Sequence, residues 1–173
     1  MAYWIGRGIP QDYGIGVRWY ELASQQGNAD AQFFLGMAYW HGQGVLQDYD
    51  QAFRWYKLSA EQGNADAQNI IGWMYDTGEG VVQNYDEAVQ WFRLGAEQGN
   101  PDAQLNLGRM YGNGNGVDQD NSVAHMWFNI ASALGNTDAT NYRNLVANDM
   151  TAKEITRAQE KAKKCQEKEF KSC

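Results

Sequence analysis

The heptapeptide Gln26-Gly27-Asn28-Ala29-Asp30-Ala31-Gln32 recurs unchanged at residues 62–68, and at 98–104 with one change, Pro101. The step is 36 residues, and it extends far beyond the heptapeptide. Trp19, Trp55, Trp91 and Trp127 keep it. So do Gly8, Gly44, Gly80 and Gly116, and Gly27, Gly63, Gly99 and Gly135. The aromatic after each tryptophan stays in register as Tyr20, Tyr56, Phe92 and Phe128. Tyr39, Tyr75 and Tyr111 form another comb, each preceded three residues earlier by Gly36, Gly72 or Gly108. A fixed period of this length is the signature of a repeat architecture, and it is read before anything else.

Within one unit, Ala31, Leu35, Ala38 and Tyr39 fall at helical spacing, as do Ala52, Trp55, Tyr56 and Ser59. Each unit is therefore a pair of helices, A and B. The Gly-x-Gly-Val segments at Gly42, Gly78 and Gly114 end helix A, because glycine enters the left-handed conformation without a Cβ penalty. Asp12, Asp48, Asn84 and Asp120 stand where helix B needs an N-cap, with Gln51 and Glu87 placed for a capping box. The comb from Gly27 to Gly135 ends helix B, and Asn28, Asn64, Asn100 and Asn136 then cap the next helix A. Pro101 lands at a first helical position, where its missing N–H is harmless. Gly36, Gly72 and Gly108 lie inside helix A, where glycine costs up to about 1 kcal/mol relative to alanine. Their recurrence predicts a neighbouring helix backbone in close approach. The tryptophan comb reads as packing between neighbouring units.

The chain has 173 residues, 43% of them hydrophobic and 20% charged, which suits one folded domain and excludes a disordered chain. No apolar run is long enough to span a bilayer, so membrane insertion is not expected. The net charge of −7 argues against nucleic acid as a partner, because phosphate binding needs Lys and Arg. Residues 1–150 carry 7 Lys and Arg against 17 Asp and Glu, whereas residues 151–173 carry 7 against 4. The basic tail reads as a solvated helix face.

The pattern Ala31, Leu35, Gly36, Tyr39, then Gly42, Gly44, Val45, Asp48, then Ala52, Trp55, Tyr56, Ser59 resembles the Sel-one-like repeat, a relative of the tetratricopeptide repeat. The resemblance runs from residue 1 to about 136. It implies an all-α fold, a right-handed α/α superhelical solenoid of 36-residue helix-turn-helix units whose concave face meets proteins or peptides. It also implies an adaptor, of a kind that bacteria carry in number. The units fall at 28–63, 64–99 and 100–135. They are flanked by a partial unit at 1–27 and a divergent cap at 136–173. Residues 1–4 repeat Met37-Ala38-Tyr39-Trp40, so the chain is expected to start inside a helix A as a fragment. An apolar end of that kind is open to self-association. In the cap, Thr151-Ala152-Lys153-Glu154 is a capping-box signature, followed by an amphipathic helix with Ile155, Ala158, Ala162 and Cys165 on one face.

Cys165 and Cys173 are eight residues apart, a spacing that permits a bridge between helix end and tail and equally permits two free thiols. A bridge would place the protein in an oxidising compartment, so a periplasmic or secreted location is favoured over the cytoplasm. No metal site is expected, since no Cys or His pair stands near. No catalytic residue and no cofactor are assigned: the chain has no His-Glu-x-x-His, Cys-x-x-Cys, Gly-x-Ser-x-Gly or P-loop motif. The glycine-rich run at 112–116 follows no strand, and the acidic residues around it lack EF-hand spacing.

In tetratricopeptide-like geometry the inward positions of helix A are Phe33, Met37, Trp40 and His41 in the first full unit. They are Asn69, Trp73, Asp76 and Thr77 in the second, and Leu105, Arg109, Gly112 and Asn113 in the third. Positions fixed by the repeat are framework; these vary, so they are the candidate partner-binding residues. Phe33, Met37, Trp40 and Trp73 form an apolar strip, with Asp76 and Arg109 adding polar specificity. Three functions are weighed on this groove: a non-catalytic scaffold for a protein or peptide segment, an envelope glycan or peptidoglycan binder, and a β-lactam- or peptidoglycan-acting enzyme. The last is disfavoured, because the cysteine-rich relatives linked to that chemistry carry a cysteine pair per repeat and this chain has none there.

Overall fold

The computed structural model describes residues 12–171 and 173. The partial helix A read at residues 1–4, with the apolar end it would expose, lies outside the described residues. Among the described residues the chain forms nine helices and no strand. They are α1 (Tyr13–Gln25), α2 (Ala29–His41), α3 (Tyr49–Glu61), α4 (Ala65–Thr77), α5 (Tyr85–Glu97), α6 (Pro101–Asn113), α7 (Asn121–Ala133), α8 (Thr137–Ala147) and α9 (Ala152–Glu167). The even-numbered helices from α2 to α8 are the A helices; α1, α3, α5 and α7 are the B helices.

Caps set these lengths. Asp12, Asp48, Asn84 and Asp120 accept from backbone N–H groups in the first turns of the B helices, and Asn28, Asn64, Asn100 and Asn136 do so for the A helices. Among the described residues both arms of a capping box are made at Thr151 and Glu154 alone; Gln51 and Glu87 lend only their backbone N–H. Gly42, Gly78 and Gly114 close helices α2, α4 and α6 at φ of 66°, 77° and 72°.

The asparagine caps do a second job that explains why they are not aspartate or serine. In Asn64, Asn100 and Asn136 the Oδ1 caps its own helix, while Nδ2 donates to the first-turn aspartate of the preceding A helix. These bonds are Asn64 to Asp30 at 3.2 Å, Asn100 to Asp66 at 2.7 Å and Asn136 to Asp102 at 2.8 Å. Aspartate would set two anions together, and serine lacks the second arm. A glutamine ladder runs alongside. Gln62 donates to Gln32 and Gln98 to Gln68, both at 2.6 Å. The next rung fails because Leu134 stands where Gln62 and Gln98 stood, and Gln104 Oε1 is buried without a partner.

The core repeats with the sequence. Leu35, Ile71 and Leu107 of the A helices and Tyr56, Phe92 and Phe128 of the B helices are buried. Each mid-helix glycine faces one of those rings. A Cβ on Gly36, Gly72 or Gly108 would lie 2.6 Å from the ring of Tyr56, Phe92 or Phe128. The sequence reading expects a helix backbone there, and the finding corrects it: the close neighbour is the flat face of an aromatic from the same unit. Three members of the tryptophan comb sit between units, whereas Trp19 is exposed. Trp55 packs on Val17, Leu35 and Ala38, Trp91 on the core of Ala52 to Met74, and Trp127 within the core of Ala88 to Met110.

From α2 to α6 each A helix packs on its own B helix and on the B helix before it, and α8 packs on the B helix before it. The A helices also touch one another, α4 against α6 and α6 against α8, whereas successive B helices of the repeats make no comparable contact. The stack therefore curves with the A helices inside. At the end the pattern changes: α9 packs back on α7. Ala158, Ala162 and Cys165 of α9 are buried, and Cys165 is bonded to Cys173.

Candidate functional site

The caps and glycines hold the A helices in register, so side chains at one repeat position line up along the inner face. Phe33, Met37, Trp40 and His41 of α2 and Trp73 of α4 line one cavity of about 270 Å3, together with Ile70 and Tyr56. The Trp40 and Trp73 rings meet edge to face at 5.6 Å, and Trp40 also leans on Tyr49 at 4.6 Å. Phe33 contacts the Tyr56 ring at 5.7 Å, so the cavity floor rests on the core. Phe33, Met37, Trp40 and Trp73 are each half-buried: they pack on the core and still present a face to the groove. His41 is exposed at its rim. The helix end that carries Trp40 is tied down by Gln47, whose Nε2 donates to the Trp40 carbonyl at 2.8 Å.

One unit further along, the inner face turns polar. Asn106 Nδ2 donates to Asn69 Oδ1 at 2.9 Å, joining α6 to α4. Arg109 Nη1 donates to Asn106 Oδ1 at 3.2 Å, and the guanidinium lies over the Tyr142 ring at 6.0 Å. Asp76 is half-buried within the electrostatic reach of Arg109; burial raises its carboxyl above the usual range and Arg109 pulls it back down. Leu105 is half-buried on α6 and lies outside the apolar cavity. Thr77, Gly112 and Asn113 serve local needs or face solvent: Thr77 Oγ1 donates to the Trp73 carbonyl, the Gly112 carbonyl accepts from Gln119, and Asn113 is exposed.

The structure thus brings five of the proposed residues to one cavity and three, Asn69, Asp76 and Arg109, to one polar cluster. Sequence reasoning missed Ile70, Asn106 and Tyr142. These share one repeat position with Phe34, and the residue type there changes from unit to unit as it does at the positions chosen. The variability criterion would have found them, had the helical arc been drawn one residue wider.

A larger cavity of about 620 Å3 lies beside α3 and the α4–α5 loop, lined by Asp50, Phe53, Tyr75 and Asn84 among others. Two of its polar side chains already have work, Asn84 as an N-cap and Gln83 on the Asp76 carbonyl and the Tyr85 hydroxyl. Among the described residues no group of three or more His, Cys, Asp or Glu is placed to hold a metal ion. No helix there is long and apolar enough to cross a membrane.

The family described as the Sel1 repeat matches at residues 1–28, 29–64, 65–100 and 101–136, and the chain belongs to that family. Members of this family generally mediate protein–protein interaction on a scaffold that is generally non-catalytic. A Sel1 repeat protein from Oxalobacter formigenes is 35% identical with a TM-score of 0.77, over 82% of this chain and 58% of that one. The protein c5321, a protective antigen of uropathogenic Escherichia coli strains with an SLR fold, is 36% identical with a TM-score of 0.83, over 96% of this chain and 36% of its own. This chain therefore spans little more than half of the first protein and about a third of the second. Cysteine-rich protein B of Helicobacter pylori shares the fold at 20% identity and a TM-score of 0.60, over 76% of this chain and 94% of its own. No curated protein matches the chain.

Proposed function

We propose, from the premise of a Sel1 repeat scaffold, that this chain holds a peptide or protein segment on the concave face of its A helices and catalyses nothing. The observation that supports this reading is the apolar cavity at Phe33, Met37, Trp40 and Trp73. Tryptophan, methionine and other large side chains left half-open at non-framework positions are what interface hot spots are made of. A buried aromatic floor gives them rigidity, so binding orders little that is not already ordered. The Cys165–Cys173 bond supports an oxidising workplace.

The test is positional. A photo-crosslinking amino acid replaces Met37 in the groove or, as a control, Leu94 on the outer face, in bacterial cells making the chain. Adducts are expected from the Met37 position and should vanish when Trp73→Ala is added, with the variant's helical fold retained by circular dichroism. Equal adducts from both positions, or adducts indifferent to Trp73→Ala, overturn the reading.

A further inference from the structure

The polar cluster beside the cavity has a donor surplus that follows from the arginine. A guanidinium can only donate, so Asn106 must turn its Oδ1 to Arg109 and its Nδ2 to Asn69. Asn69 then accepts with Oδ1 and is left with Nδ2 free to donate. Arg109 spends one of its five N–H groups on Asn106, and no other described residue accepts from it. The chain Asn69–Asn106–Arg109 therefore ends in open donors on α4 and on α6. Asp76, the acid within electrostatic reach, forms no ion pair with Arg109 and accepts no hydrogen bond on its carboxylate from a described residue. The guanidinium lies 6.0 Å from the Tyr142 ring, within cation–π reach. Such a fork is the geometry that matches a carboxylate in a bidentate way.

We infer that the groove selects a segment carrying a bulky apolar side chain for the Phe33–Met37–Trp40–Trp73 cavity and, set apart from it, an acidic side chain for Arg109 and Asn69. This rests on the groove reading above and adds the chemistry of the partner. The separation follows from the stack. Neighbouring helices lie about 8–10 Å apart, and an extended chain rises about 3.3 Å per residue. The acid therefore sits about three residues from the apolar anchor. A side chain is favoured over a chain terminus, because the inner face continues past Arg109 to Tyr142 and the exposed Leu145 and leaves room for the segment to run on.

A random-sequence peptide library displayed on phage tests this on the whole chain, with parallel selections on the Arg109→Met, Arg109→Lys and Trp73→Ala variants after circular dichroism shows each folded. The parent should enrich peptides with Asp or Glu about three residues from a large apolar residue. The most enriched peptide, remade with Gln for its acid, should bind about tenfold more weakly. Arg109→Met should erase that difference, and Arg109→Lys should restore only part of it, since a point charge lacks the fork. Peptides that need Trp73 yet show no acidic preference overturn this inference and leave the groove reading standing. Selection that is indifferent to Trp73→Ala, or that retains nothing above background, overturns both.

Discussion

On the outer face of α5 the chain reads Glu87, Gln90, Trp91 and Leu94; on α7 the same register reads Val123, Met126, Trp127 and Ile130. Leu58 and Leu94 are 44% and 45% exposed at their common position, and Ile130 is 0% exposed. The difference is α9. Interior units are covered on both sides by copies of themselves, so their outer B face carries polar residues beside the packed tryptophan and one exposed leucine. The last unit has no copy to follow. Its outer face is apolar, and a helix of unrelated sequence lies across it with Ala158, Ala162 and Cys165 as the contact. A repeat can supply its own neighbours everywhere except at an end, where the sequence must change its pattern.

Removing residues 149–173 is the largest way to break this comparison. It would bare Met126, Trp127 and Ile130, each worth about 1.5–3 kcal/mol when buried, so the loss should be roughly 5 kcal/mol. Urea titration followed by circular dichroism measures it, and a loss below about 1 kcal/mol would show that α9 covers nothing of consequence. A smaller perturbation probes what the two regions share. Gly72→Ala and Gly108→Ala drive a Cβ to 2.6 Å from the Phe92 and Phe128 rings alike. Each should cost about 1–3 kcal/mol by overpacking, despite the gain in helix propensity. The two losses should be equal within about 0.5 kcal/mol if the framework is the same at the end as in the interior.

The framework was legible because its signals are local. An N-cap is read three residues from the N–H it serves, and a glycine marks the turn in which it stands, so the caps from Asp12 to Asn136 and the glycine stops lay open in the sequence. What stood against Gly72 was not legible, because Phe92 reaches it from twenty residues away and only the packing angle of α4 and α5 puts ring rather than backbone there. The apolar residues of the candidate groove were legible as large side chains at variable positions, and the structure gathers them at one cavity. The polar half was read as Asn69, Asp76 and Arg109 without the residues that join them, because Asn106 and Tyr142 are unremarkable in sequence and acquire their meaning only as neighbours of Arg109. The seat of α9 on α7 was also out of reach, although the change to Val123, Met126 and Ile130 announces that something must cover them.

Leu134 sharpens the comparison at a scale of single hydrogen bonds. Gln62 and Gln98 each carry a rung of the ladder, and Leu134 leaves Gln104 Oε1 buried and unpaired. Leu134 is itself 44% exposed, so little packing is lost by replacing it. Leu134→Gln should extend the ladder by one rung and stabilise the chain by about 1 kcal/mol. An unchanged urea midpoint would mean that the rung is closed by other means.

His125 gives the smallest effect at neutral pH and the one that depends most on conditions. It occupies the register of Val17, Phe53 and Val89, is buried, and its Nδ1 finds no partner. Burial, with a lesser push from the Arg143 charge, holds its pKa below the ordinary histidine value of 6.5. The unfolded chain therefore binds this proton more readily than the folded one. Stability is unaffected above about pH 6.5 and falls as the pH drops from there toward the folded-state pKa. His125→Val restores the residue type of two other units. It should change stability by less than about 1.5 kcal/mol at pH 7.5, as a volume-tolerant core swap that also removes an unpaired polar atom. Between pH 6.5 and 5 the variant should hold its urea midpoint more nearly constant than the parent does. Parallel midpoints for parent and variant across that range would mean that the imidazole at the end of the stack titrates as freely as one in water.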